Sequence, residues 1–143
     1  MSFITFVPIE KNESARTDWN LYVACIVAAC ASDGLSDAEK LAVGHWLALQ
    51  GQPASVLDEA LVTSRSLTMA AVSANKSAAF FGPYIVRDAI RMCRIDGLGA
   101  KERAAIASLA EALGVTAQSV TAIETLIEQH DAAEASWKSL LKA

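Results

Sequence analysis

The sequence predicts an all-helical protein: one domain spanning residues 1–143, folded as a bundle of about seven to eight helices around a duplicated helix–turn–helix unit. Three observations carry this. Hydrophobic residues make up 53% of the chain and Ala dominates them, with only 7 Gly and 3 Pro, a composition of strong helix formers. Apolar positions recur at helical spacing between clear capping signals. The chain also aligns with itself at an offset of 63 residues.

At that offset Cys30 falls on Cys93, Asp33 on Asp96, Gly34 on Gly97, Leu35 on Leu98, Glu39 on Glu102 and Gly51 on Gly114. Lys40 meets Arg103, and Val43 and Trp46 meet Ile106 and Leu109. Each copy reads as an apolar helix, an Asp-Gly-Leu turn, a helix opened near a glutamate, and a glycine stop. Compositional drift does not align so many unlike residues at one offset. Repeat one covers about 18–64 and repeat two about 83–130.

The elements follow in order. The first helix is expected from about Asp18 to Ser32. It is apolar nearly all round from Leu21 to Ala31, which implies burial at the centre of the bundle. Gly34 supplies the left-handed turn that ends it. Ser36-Asp37-Ala38-Glu39 is a capping-box pattern that opens a helix running to Gln50. Pro53 opens a third helix through about Ser64. Thr68 caps a short helix through Val72, and Asn75–Ser77 reads as a break. Gly82-Pro83 starts the second copy, since Pro suits a helix's first turn.

That helix runs to about Ile95. It alternates Ile85, Val86, Ala89 and Ile90 with Arg87, Asp88, Arg91 and Arg94, so it is expected to keep one wet face. Helices from Gly99 to Leu113 and from Thr116 to about His130 follow. A last amphipathic segment carries Trp137, Leu140 and Leu141 on one side and is expected to dock on the bundle.

Charge and cysteine usage narrow the function classes. Twelve Lys and Arg against sixteen Asp and Glu give a net charge of −4, which disfavours nucleic-acid binding. The apolar run Leu21–Ala31 is far shorter than the roughly 20 residues a membrane span needs, and Met1–Ile9 lacks the features of a signal peptide. Three cysteines without an export signal fit a reducing cytoplasm better than a disulfide scaffold. Cys25, Cys30 and Cys93 therefore read as small buried hydrophobes.

The paired Asp-Gly-Leu-x-x-x-Glu turns, each between an apolar helix and a helix ending in Gly, resemble the TerB-like family. That family is the tellurite-resistance TerB superfamily, which also includes the N-terminal domain of the DjlA co-chaperone. The second copy is the nearer match, from Ala89-Ile90-Arg91-Met92-Cys93-Arg94-Ile95-Asp96-Gly97-Leu98 through Glu102 to Leu109–Leu113-Gly114-Val115. The resemblance covers roughly residues 20–128. It implies an all-helical bundle with acidic turns, and an association with tellurite and other stress phenotypes, divalent-metal binding and membrane-associated signalling. In copy two, Gly99 and Ala100 stand where copy one has Ser36 and Asp37, so that turn has one carboxylate fewer.

The candidate ligands are Asp33, Glu39, Asp96 and Glu102, hard oxygen donors suited to Ca²⁺, Mg²⁺ or Mn²⁺ more than Zn²⁺. Against this stands plain capping, since Glu39 and Glu102 fall in first helical turns where the dipole favours a carboxylate. Asp33 and Asp96 fall at helix C-terminal ends, where the dipole disfavours them; an Asx-turn could compensate. The second candidate is a stripe of Arg87, Arg91 and Arg94, a contact surface for an acidic protein partner or an anionic surface. Against it stands an ordinary solvated face with Asp88 as local partner. His45 is expected against the apolar rows of its helix and His130 at a helix end. Trp19, Trp46 and Trp137 read as core anchors.

No phosphate loop, zinc signature, nucleophile elbow or catalytic triad spacing is present. The expectation is thus a non-enzymatic binding module, with a metal-free interaction domain as alternative and a small hydrolase as the weakest reading. A homo-oligomer is compatible with the sequence.

Overall fold

The computed structural model describes residues 13–30 (side chains from Trp19 onward), 35–95 and 97–142. Among them are eight helices and no strand: α1 Glu13–Cys30, α2 Asp37–Leu49, α3 Ser55–Ser64, α4 Met69–Ala74, α5 Lys76–Phe80, α6 Gly82–Cys93, α7 Ala100–Ala112 and α8 Ala117–Leu141. None of the described helices is long and apolar enough to cross a membrane.

The chain's local signals set most of these boundaries. Ser36 caps α2 and Thr116 caps α8, each accepting a backbone N–H from three residues on, which satisfies donors the first helical turn leaves open. Gly51 and Gly114, the paired glycine stops, share nearly the same left-handed φ of 72° and 74°. Only glycine takes that conformation without steric cost. The two copies therefore agree in backbone detail as well as in sequence. The expected break at Asn75–Ser77 is instead a second cap. Asn75 accepts from the Ala78 N–H at 2.9 Å, so a five-residue helix follows at once.

The all-round apolar α1 lies at the centre, as its composition requires, packed against α3, α5, α6 and α7. Its Trp19 and Tyr22 meet Trp46 of α2 in one aromatic cluster, with ring centroids 5.3–5.6 Å apart. Edge-to-face and offset contacts of this kind add to the burial of the rings themselves. All three are nearly inaccessible to solvent.

Two expectations about the second copy are corrected by the packing of α8. First, α8 is one continuous helix; no Gly or Pro interrupts residues 117–141. Its far end does not dock on the bundle. Trp137, Leu140 and Leu141 are 70%, 66% and 87% exposed, so Trp137 is not a core anchor. Second, α8 lies across α6, and α6 has no continuous wet face. Asp88 is fully buried and Arg91 is 3% exposed.

The cysteines are a third correction. Cys30 and Cys93, the last residues of α1 and α6, form a disulfide with Cα atoms 5.4 Å apart. The two cysteines hold equivalent positions in the two copies, and no local sequence pattern pairs them. Only Cys25 is free among the cysteines, and it is buried; burial pushes its thiol up to about 12.

Candidate functional site

The disulfide joins the two helix ends from which the Asp-Gly turns depart, and the helices after those turns carry the predicted glutamates. In copy one the capping box is complete. Ser36 Oγ accepts from the Glu39 N–H at 3.1 Å, and Glu39 Oε1 accepts from the Ser36 N–H at 2.9 Å. Glu39 is 6% exposed. Its second oxygen makes no hydrogen bond to a described residue. Ser36→Ala is expected to cost about 1 kcal/mol, read as a lower urea midpoint; an unchanged midpoint would mean that the box does not hold α2.

Copy two reaches a similar shape by other means. Gly99 caps α7 without a side-chain bond, and Glu102 folds back over it. A Cβ at position 99 would stand 2.7 Å from Glu102 Oε2. The loss of the serine is thus matched by room for the carboxylate. Glu102 also joins Lys101 and Ala105 of α7 and Ala28, Ala29 and Cys30 of α1 around a cavity of about 90 Å³. The glutamate of copy two therefore stands over the end of α1, the helix that leads into the turn of copy one. Asp33 and Asp96, and the expected Gly34 turn, lie outside the described residues. Among the described residues, no group of three or more His, Cys, Asp or Glu is placed to hold a metal.

The arginine stripe is divided among three environments. Arg87 is half-buried and bonded to Asp88, Nε to Oδ1 at 3.0 Å and Nη2 to Oδ2 at 3.3 Å, with its guanidinium 4.8 Å from the Tyr84 ring centre. Arg91 is buried, and that burial lowers its pKa against the opposing pull of Asp88. Arg94 is exposed and pairs with Asp131 at 3.7 Å, a geometry worth little at a surface. The three do not form one continuous exposed surface.

Asp88 is the residue that reading the sequence undervalued. It accepts hydrogen bonds from Tyr22 of α1 and from Arg87, and so ties the two central helices together. Burial raises its pKa, opposed by Arg87 and by the Tyr22 hydroxyl; Tyr22 is raised in turn, by burial first and by Asp88 second. The signal was available, since position 88 shares the helical face of Ile85, Ala89 and Met92, which all point into the core. Sealed from solvent, Asp88 is a structural anchor. His45 is exposed and not set against apolar rows, whereas His130 is half-buried within α8.

No family description and no curated protein matches the sequence. Among solved structures, the chain is similar to a crystal structure of a tellurite resistance protein from Nostoc punctiforme. The two share 22% identity and superpose with a TM-score of 0.72 over 88% of this chain and 81% of that one. The helical architecture expected from the sequence is therefore a fold that this chain shares with that solved protein.

Proposed function

We propose that this chain is a non-enzymatic, TerB-like binding module of a stress response, holding a divalent cation where its two Asp-Gly turns arise. Asp33, Glu39, Asp96 and Glu102 are the proposed ligands. One observation carries the reading: the ends of α1 and α6 meet, with the Cα atoms of Cys30 and Cys93 5.4 Å apart. Each aspartate follows its cysteine by three residues, a length of chain that spans at most about 11 Å. The two acidic turns thus spring from one place and not from opposite ends of the bundle.

The donor chemistry supports a hard cation. Carboxylate oxygens suit Ca²⁺, Mg²⁺ or Mn²⁺, and Glu39 keeps one oxygen beyond its capping duty. Docking of an acidic partner through Arg87, Arg91 and Arg94 without metal has less support, because Arg91 is buried.

Thermal unfolding of the chelator-treated protein, with Ca²⁺, Mg²⁺, Mn²⁺ and Zn²⁺ added singly, tests this. One hard cation is expected to raise the melting temperature saturably, by about 2.7 kcal/mol of stabilisation at a hundredfold excess over Kd. The Asp33→Asn/Asp96→Asn variant should lose the response. A flat response to all four ions would leave the glutamates as helix caps and nothing more.

A further inference from the structure

The long helix α8 carries a seam that the bundle does not use. Ala122, Leu126, Gln129, Ala133, Ser136 and Leu140 recur at alternating steps of four and three, the spacing by which one helix packs along another. All six are exposed. Leu126 is 63% exposed and, with Trp137 and Leu140, gives this strip large apolar side chains in contact with water. A continuous strip of that kind marks an interaction surface.

The charges of α8 stand clear of the seam. Glu124, Glu128, Asp131, Glu134, Lys138 and Lys142 fall within about 120° of arc on the opposite side, at about 3.6 residues per turn. The bundle holds two of them, Glu124 through Arg103 of α7 at 3.4 Å and Asp131 through Arg94 of α6 at 3.7 Å. The seam therefore points away from the bundle, where a partner helix has access.

We infer that this seam is a self-association surface, closed by α8 of a second copy of the chain in an antiparallel, two-fold pairing. Charge order supports this partner and this direction. Residues 124–134 hold four carboxylates and no Lys or Arg, and residues 135–142 hold two lysines and no carboxylate. An antiparallel copy lays each lysine end beside the other's carboxylate stretch, whereas a parallel copy lays like against like. Side-chain size agrees. With the two-fold axis level with Asp131, Leu140 lies over Ala122, Leu126 over Ser136 and Ala133 over Gln129, so large faces small. Each contact is then made twice, and Lys138 comes level with Glu124.

The same register accounts for a cavity beside the seam. About 320 Å³ lies open between α6 and α8, with Pro83, Tyr84, Ile123 and Leu126 among its walls. Trp137 of the other copy comes level with Ile123 and Leu126 on that flank, and its ring seats at the apolar mouth. The contact is about one helix wide, which puts it among small interfaces, below about 1,200 Å² in total. Association is accordingly expected to be micromolar or weaker, with dilute protein monomeric.

Sedimentation of the full chain from micromolar to millimolar concentration tests this. Monomer is expected to give way to dimer, and Trp137 emission to move to shorter wavelength as it does. Ala133→Glu alters an exposed position and should leave the fold intact. It should weaken association at least about a hundredfold, because it sets an unpaired charge in the seam of each copy. Cross-linking under mild oxidation reads the direction. Ala122→Cys mixed with Leu140→Cys should give a cross-linked pair, and neither variant alone should.

A chain that stays monomeric at millimolar concentration would overturn the inference. So would a dimer undiminished by Ala133→Glu, which would lie on another face, or cross-linking within the single variants, which would make the pair parallel. The concentration series on the unaltered chain decides the matter even where a variant fails to fold.

Discussion

Reducing the Cys30–Cys93 disulfide is expected to remove about 4 kcal/mol of stability, the loop-closure entropy for a ring of this length. The bond spans 63 residues and encloses α2 to α6. The native helix ends meet in any case, so the main effect falls on the unfolded chain, which regains conformational freedom. Urea unfolding with and without dithiothreitol measures this directly. The Cys30→Ser/Cys93→Ser variant should match the reduced protein, with a melting temperature lower by about 10 °C. Alkylation supplies the stoichiometry. Native oxidised protein should take up no iodoacetamide, because a thiol held up at about 12 by burial at Cys25 has almost no thiolate at neutral pH. Native reduced protein should be labelled first at Cys30, which is half-buried where Cys93 is 2% exposed. Equal stability of the oxidised and reduced forms would show that the loop carries no such restraint.

Asp88→Ala is expected to cost about 3–5 kcal/mol, the penalty for breaking a buried pair by deleting one partner. The loss exceeds that of one hydrogen bond, because the hydroxyl of Tyr22 and the fork of Arg87 lose their acceptor together. Tyr22→Phe removes one donor from the set and should cost about 1–2 kcal/mol. The pH dependence has a definite sign. Burial raises Asp88 above its usual 3.8, so the folded protein keeps that proton to higher pH than the unfolded chain. The stabilising contribution is full below pH 3.8 and declines as pH rises through the raised value. Asp88→Asn has no proton to lose and escapes the decline. The stability gap between wild type and Asp88→Asn should therefore narrow as pH rises from about 4. A gap that widens would mean that Arg87 outweighs burial.

The features legible in the sequence are those a few adjacent residues decide. Ser36 and Glu39 form their box within one turn of chain, and Gly51 and Gly114 take the conformation other residues resist. Asn75 belongs to the same class, and its cap was hidden only because the helix it opens is so short. Features that needed tertiary knowledge behaved differently. The meeting of Cys30 with Cys93 depends on how two copies cross, and nothing within either copy encodes it. Arg91 read as solvated because arginine usually is, yet α8, entering from some thirty residues on, covers it. The candidate site was half legible: Glu39 and Glu102 stand at the first turns where their spacing put them. Gly99 showed that the copies would differ, though not that the glutamate would fold into the vacant space.

The overhang of α8 has an optical consequence. Every described side chain after Glu134 is exposed, so the end of this helix stays helical because it prolongs a helix already nucleated upstream. A segment that short would be mostly coil in isolation. Trp137 rides on this tip in an aqueous setting, while Trp19 and Trp46 touch edge to face in the core. Native tryptophan emission is therefore a sum over two environments. Fraying of the tip changes Trp137 alone, and loss of the core changes the other two. Circular dichroism likewise mixes a packed bundle with a helix end that follows helix–coil statistics. A gentle slope before the main unfolding transition in either signal belongs to the last turns of α8, while the bundle is still intact.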